Sequence, residues 1–310
     1  MKFDRPWPLF GGRVLALAVS ANRVFVKRTI ASLLALSLPG CGGGVLDPRG
    51  PVGASEKLIL IDSMTIMLAI VVPVILATVA FAWWFRASNS RATYRPNWDF
   101  SGSLELIIWA IPALVITFLG GIAWFGSQAL DPYRPLVSKL KPIEVEAVSL
   151  DWKWLFIYPD EGIATVNQLV LPAGTPVHFK ITSASVWNTF FVPQLGSMIY
   201  SMAGMTTQLN LQADTPGTFL GLSGQFSGDK FSDMHFDVRA VDGEAFHHWV
   251  AQAKESGAAL DRGAYARLAQ TEDTSPVMTY KGVDPTLFGA IVAGTAPESA
   301  GAPQITNAPP

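Results

Sequence analysis

The stretch GLSGQFSGDKFSDM, residues 221 to 234, has the outline of a metal cradle: Ser223 and Ser227 stand four apart and Met234 follows seven later. That spacing suits a loop folded around a copper centre, but such copper asks for thiolate and imidazole, whereas this loop offers hydroxyls and one thioether. The cradle is therefore expected to hold no metal. Met234, Phe236 and Val238 alternate along an apolar strand, which assigns Met234 to core packing. The four histidines do not complete a site. His178 alternates with Val177 and Phe179, and His235 with Met234 and Phe236, so both are expected to face solvent. His247 and His248 adjoin on a helical stretch, where a surface or subunit contact is the simpler reading. Ser223 has neither a G-x-S-x-G elbow nor a neighbouring base, which argues against serine hydrolysis.

Two other residues have a chemical reading. Glu105 lies one residue inside an apolar run that begins at Leu104. An ionisable group there is a functional candidate, or else a carboxylate that snorkels to water beside nearby arginines. Cys41 is the only cysteine, so no disulfide framework and no Cys-rich zinc or iron–sulfur site can form within the chain. Lys27 and Arg28 precede the apolar run 29–38, which ends in LPGC, and this layout resembles a bacterial lipoprotein signal. The resemblance implies cleavage before Cys41 and a diacylglycerol on its thiol. An uncleaved apolar helix with an incidental cysteine is the alternative.

The elements that must position these residues follow from composition. Half of the 310 residues are hydrophobic and 15% are charged, which places the chain between a soluble enzyme and a polytopic membrane protein. A net charge of -2 and the absence of a basic block exclude a nucleic-acid partner. After a leader (1–40) and a short segment (41–57), the runs 58–85 and 104–126 are each long enough to span a bilayer. The loop between them, 86–103, carries Arg86, Arg91 and Arg95, which puts it in the cytoplasm and puts membrane lipid around the pair. Trp83, Trp84, Trp98, Trp109 and Trp124 stand near the run ends, where interfacial anchors belong. Residues 139–242 change to short alternating runs broken by Pro and Gly, the pattern of an antiparallel sandwich. A helical, aromatic-bearing extension occupies 243–293, and the Pro/Ala-rich tail 294–310 is expected to be disordered. The fold class is α+β: a two-helix transmembrane hairpin, an all-β cupredoxin-like sandwich and a short helical C-terminal extension.

Two spans followed by a sandwich, with WKWLFIYP, NTFFVPQLGSMIYSMAGM and the loop at 221–234, resemble subunit II of the haem–copper respiratory oxidases. In the branch that accepts electrons from cytochrome c, the sandwich holds two coppers on an early His and a loop C-S-E-x-C-G-x-x-H-x-x-M. Laid on this sequence, that pattern puts Ser223 and Ser227 at the thiolates, Gln225 at the Glu, Gly228 at the Gly and Phe231 at the second His. Asn188 falls at the early His, and of the side-chain ligands Met234 alone remains. The quinol oxidase branch is distinguished by this loss, because its electrons enter from ubiquinol in the membrane. The resemblance implies a non-catalytic subunit of a proton-pumping ubiquinol oxidase, with no cofactor in this chain and the haems and copper in subunit I. Its partners would be subunit I, the other subunits and, through the complex, ubiquinol. The setting would be the bacterial inner membrane, with a lipid anchor and the sandwich in the periplasm. The resemblance also implies that Glu105 is the mouth of a proton pathway. It leaves Trp152 and Trp154 as packing or subunit-contact residues, or as relics of electron entry. A copper-bearing subunit is opposed by the missing Cys and His. A lipid-anchored binding module is opposed by two spans where an acyl chain and one helix suffice.

Overall fold

The computed structural model describes residues 44–93, 95–270 and 275–297. The leader, Cys41 and residues 298–310 lie outside them. Helices α1 (Pro51–Trp84) and α2 (Gly102–Ala129) have 34 and 28 residues and are long and apolar enough to cross a membrane. Large apolar side chains are exposed along both, the surface that lipid or partner helices cover.

Helix α1 begins seven residues before the apolar run that opens at Leu58. Pro51 suits a first turn, because its fixed φ is helical and its missing N–H would have lacked a partner there anyway. That turn is also held by the sandwich. Arg49 N–H donates to the Gln194 carbonyl at 2.7 Å, Gly53 N–H to the Leu195 carbonyl at 3.0 Å and Asp214 N–H to the Arg49 carbonyl at 2.8 Å. The Ser197 N–H donates to Glu56 Oε1 at 2.9 Å. The helix therefore leaves the sandwich as a docked element, with its polar first turns supplying the joint.

The β strands, β1 (Ile143–Leu150), β2 (Lys153–Tyr158), β3 (Ile163–Val166), β4 (Gln168–Pro172), β5 (Val177–Ser183), β6 (Asn188–Phe191), β7 (Ile199–Ser201), β8 (Thr207–Leu211), β9 (Gly217–Ser223), β10 (His235–Val241), β11 (Ala258–Leu260) and β12 (Met278–Val283), form two sheets. One has seven strands in the order β11-β12-β3-β2-β1-β5-β8, the other five in the order β4-β10-β9-β6-β7. Most pairs are antiparallel, but β1 runs parallel to β5, β10 parallel to β4 and β11 parallel to β12. Between the sheets lies an aromatic core in which Trp154 packs against Phe190 at 5.5 Å and Phe236 against Phe156 at 5.0 Å between ring centroids.

The C-terminal extension is more than helical. Besides α3 (Gly243–Glu255), α4 (Arg262–Gln270) and α5 (Leu287–Val292), it contributes β11 and β12, and β12 pairs antiparallel with β3 to widen the sandwich sheet. Tyr265, Leu268, Leu287 and Ile291 then cover Val148, Leu150, Leu155 and Ile157 on the far face of that sheet. This second layer explains why all six residues of β2 are buried and why, after Lys153 at its start, the strand reads as one apolar run: it is covered on both faces.

Glu146 marks the limit of the second layer. It lies on the outer side of β1, half-buried, in parallel register with Lys180, whose Nζ donates to Glu144 Oε1 at 2.6 Å. Desolvation pushes the Glu146 carboxyl up from 4.5 to about 7; Lys180 opposes the shift and Glu144 adds to it. The folded state therefore keeps a proton that the unfolded chain has lost. The resulting stability is complete below pH 4.5 and is lost as pH rises through about 7. Glu146→Gln is expected to flatten the unfolding temperature of the assembled protein across that window. An unchanged pH slope in thermal scans of the variant would refute this.

Candidate functional site

The positions singled out in the 221–234 loop gather at the end of the five-stranded sheet. Strand β9 delivers Ser223, β6 delivers Asn188, and the loop passes Ser227 and a single 3₁₀ turn, Phe231–Asp233, before Met234 leads into β10. Asn188 is 2% exposed and sits between two of the others: its Nδ2 donates to Ser227 Oγ at 3.3 Å and to Met234 Sδ at 3.1 Å. Its Oδ1 accepts the Thr189 N–H at 2.8 Å. Ser223 accepts the indole N–H of Trp154 at 3.1 Å, and its own backbone N–H donates to the Met234 carbonyl at 3.3 Å. The Gly224 N–H donates to Thr189 Oγ1 at 2.7 Å, which ties the loop back to β6.

Asn188, Ser223, Ser227 and Met234 are thus brought together, whereas Gln225 and Phe231 are half-buried at the rim, with Phe231 edge-on to Phe226 at 5.7 Å. Met234 is 2% exposed and belongs to the core. Its sulfur is also the acceptor of a buried amide, a role that alternation alone does not reveal.

This donor set does not fit copper. A metal needs lone pairs converging on one point, and here Asn188 points N–H protons inward while its acceptor oxygen is turned to the backbone. Two neutral hydroxyls and a thioether already engaged by a donor supply neither the charge nor the softness of a thiolate pair. Hydrogen bonds close the cradle from within, so no chemistry is routed through a metal here.

The histidines lie elsewhere. His178 Nδ1 pairs with Asn210 Oδ1 at 3.0 Å on the outer face of β5, while His235, His247 and His248 are exposed. Among the described residues no three His, Cys, Asp or Glu side chains group as a metal site.

The comparisons agree with this architecture. Residues 161–241 match the model of the cytochrome c oxidase subunit II periplasmic domain, and residues 254–294 match the COX aromatic rich motif. The chain is 48% identical over 272 residues to cytochrome bo(3) ubiquinol oxidase subunit 2 of Pseudomonas aeruginosa, covering 88% of this chain and 82% of the relative. It is 51% identical over 261 residues to ubiquinol oxidase subunit 2 of Acetobacter aceti, covering 84% and 85%. The chain belongs to the ubiquinol oxidase subunit 2 family.

Within this ubiquinol oxidase subunit, the two tryptophans of DWKWLFIYP have different jobs. Trp154 is fully buried and braces Ser223. Trp152, half-buried, occupies the turn between β1 and β2 with φ at 55°, beside Gly228 and 5.8 Å from the Lys230 ammonium. Thr189 and the joint residues Gln194 and Glu56 escaped the sequence reading. No motif marks them, because their importance lies in which backbone amide each faces. Glu105 is exposed in the first turn of α2, at the end remote from the sandwich, roughly 40 Å from the other end by helical rise.

Proposed function

We propose that the chain is subunit II of a proton-pumping terminal ubiquinol oxidase, that it carries no redox centre, and that it supports assembly of the haem- and copper-bearing subunit I. The observation that carries this reading is the Asn188 amide, which fills the copper position with N–H donors aimed at Ser227 and Met234. Electrons then have no stepping stone through the sandwich and enter from quinol in the membrane. In this reading α1 and α2 span the bacterial inner membrane, the arginine-bearing loop is cytoplasmic, the sandwich is periplasmic and Cys41 carries lipid. The sandwich meets its partner through the exposed apolar patch beside the cradle, Trp187, Met198, Tyr200, Met205 and Phe226, in which Trp187 stacks on Tyr200 at 5.5 Å.

The test is oxygen uptake by the complex purified through a tag on this chain, with ubiquinol and reduced cytochrome c offered separately. Uptake with quinol alone is expected. Uptake with cytochrome c would mean that electrons cross the sandwich, and the reading would fail.

Glu105 enters this proposal as a proton-entry carboxylate, supported by its exposed place in the first turn of a membrane-length helix. Glu105→Ala is expected to slow turnover while haem content stays level. Equal turnover would leave Glu105 as a snorkelling residue.

A further inference from the structure

The connection between α1 and α2 holds a cleft of about 530 Å³ lined by Trp84, Phe85, Arg91, Thr93, Arg95 and Trp98. Its two arginines are available. Arg86, next to the cleft, is already committed: it donates to the Trp83 carbonyl at 2.8 Å and Ser88 Oγ at 3.0 Å and lies 4.8 Å from the Trp83 ring centroid. The guanidinium groups of Arg91 and Arg95 make no hydrogen bond or ion pair among the described residues. The connection contains one acid, Asp99, against three arginines, so the cleft has a cationic surplus.

Its lining is divided by chemistry. Trp84 ends α1 and Trp98 returns from the far side of the loop; both are exposed, and indole rings settle at the boundary between hydrocarbon and water. With Phe85 they form an apolar half of the kind that the glycerol region of a lipid packs against. The guanidinium forks of Arg91 and Arg95, with the Thr93 hydroxyl, form a polar half that matches phosphate oxygens. Inorganic phosphate would use only the polar half, and a choline headgroup would bring a cation to a cationic cleft. We propose that this cleft is a binding site for the phosphate of an anionic phosphoglyceride.

The experiment uses the assembled oxidase in nanodiscs doped with phosphatidylglycerol bearing a photoreactive headgroup, with crosslinks mapped by peptide mass spectrometry. Labelling is expected within residues 84–98 and is expected to fall roughly 30-fold in the Arg91→Gln/Arg95→Gln variant, with haem content and turnover unchanged. A phosphatidylcholine probe that labels the segment equally would overturn the proposal, as would full competition by inorganic phosphate, which would make this a free-phosphate site. Absence of labelling in the parent complex would show that another subunit covers the cleft and would also overturn it. If the variant does not assemble, the comparison between the two lipids in the parent still decides.

Discussion

Replacing Trp154 with alanine is expected to destabilise the sandwich by about 4 kcal/mol, the range for removing a large buried aromatic, and to lower the yield of haem-containing complex. Trp154 is fully buried, packs on Phe156, Phe190 and Phe236, and donates to Ser223 Oγ. The substitution therefore opens a cavity where the sheets meet and frees the loop that Asn188 and Met234 close. Against a total stability of about 5 to 15 kcal/mol, such a loss is large. Trp154→Phe separates the two effects: it keeps most of the packing and loses the bond to Ser223, for about 1 kcal/mol plus what the missing ring volume costs. Thermal unfolding of the purified complex, read with haem per subunit, is the check. An alanine variant within about 0.5 kcal/mol of the parent would mean that the aromatic core does not hold the domain together.

Gly50→Ala should break the joint between α1 and the sandwich. A Cβ at this position would lie 2.0 Å from the Gln212 carbonyl oxygen, a backbone atom that cannot swing away as a side chain could. Gly50 has φ at -151°, which any residue adopts, so the requirement for glycine is one of space alone. Relief of the clash requires separating the segment from the strands, with loss of the paired bonds from Arg49 to Gln194 and from Asp214 to Arg49. Losing two or three backbone hydrogen bonds corresponds to about 2 to 4 kcal/mol. The expected result is a complex in which limited proteolysis cuts near residues 47–53 while both the helices and the sandwich persist. Equal protease resistance and equal assembly in the variant would show that the joint tolerates the displacement.

The candidate site was legible in the sequence to the extent that its chemistry is a matter of residue type. Ser223, Ser227 and Asn188 lack the charge and polarizability of thiolate or imidazole wherever the fold puts them, so an unsuitable copper donor set follows from the letters. The direction of the Asn188 amide does not, because it depends on the Thr189 N–H, Ser227 and Met234 approaching from separate elements. The two apolar runs were readable as helices because length and composition suffice for that. The strands of the extension were not, since three- and six-residue segments such as β11 and β12 acquire their state only by pairing with β3 and with each other.

By itself the sequence determined the two membrane-length runs, the sandwich pattern and the lack of thiolate and imidazole at the cradle positions. These depend on composition and local periodicity, which chain folding does not alter. Only the tertiary structure decided that the cradle is closed by its own hydrogen bonds, that the extension completes the sheet and that α1 is fastened through Glu56 and Arg49. It also decided that Arg91 and Arg95 share a cleft with Trp84 and Trp98. Each of these is a meeting of groups distant along the chain or turned together by a loop, set by register and packing rather than by residue type.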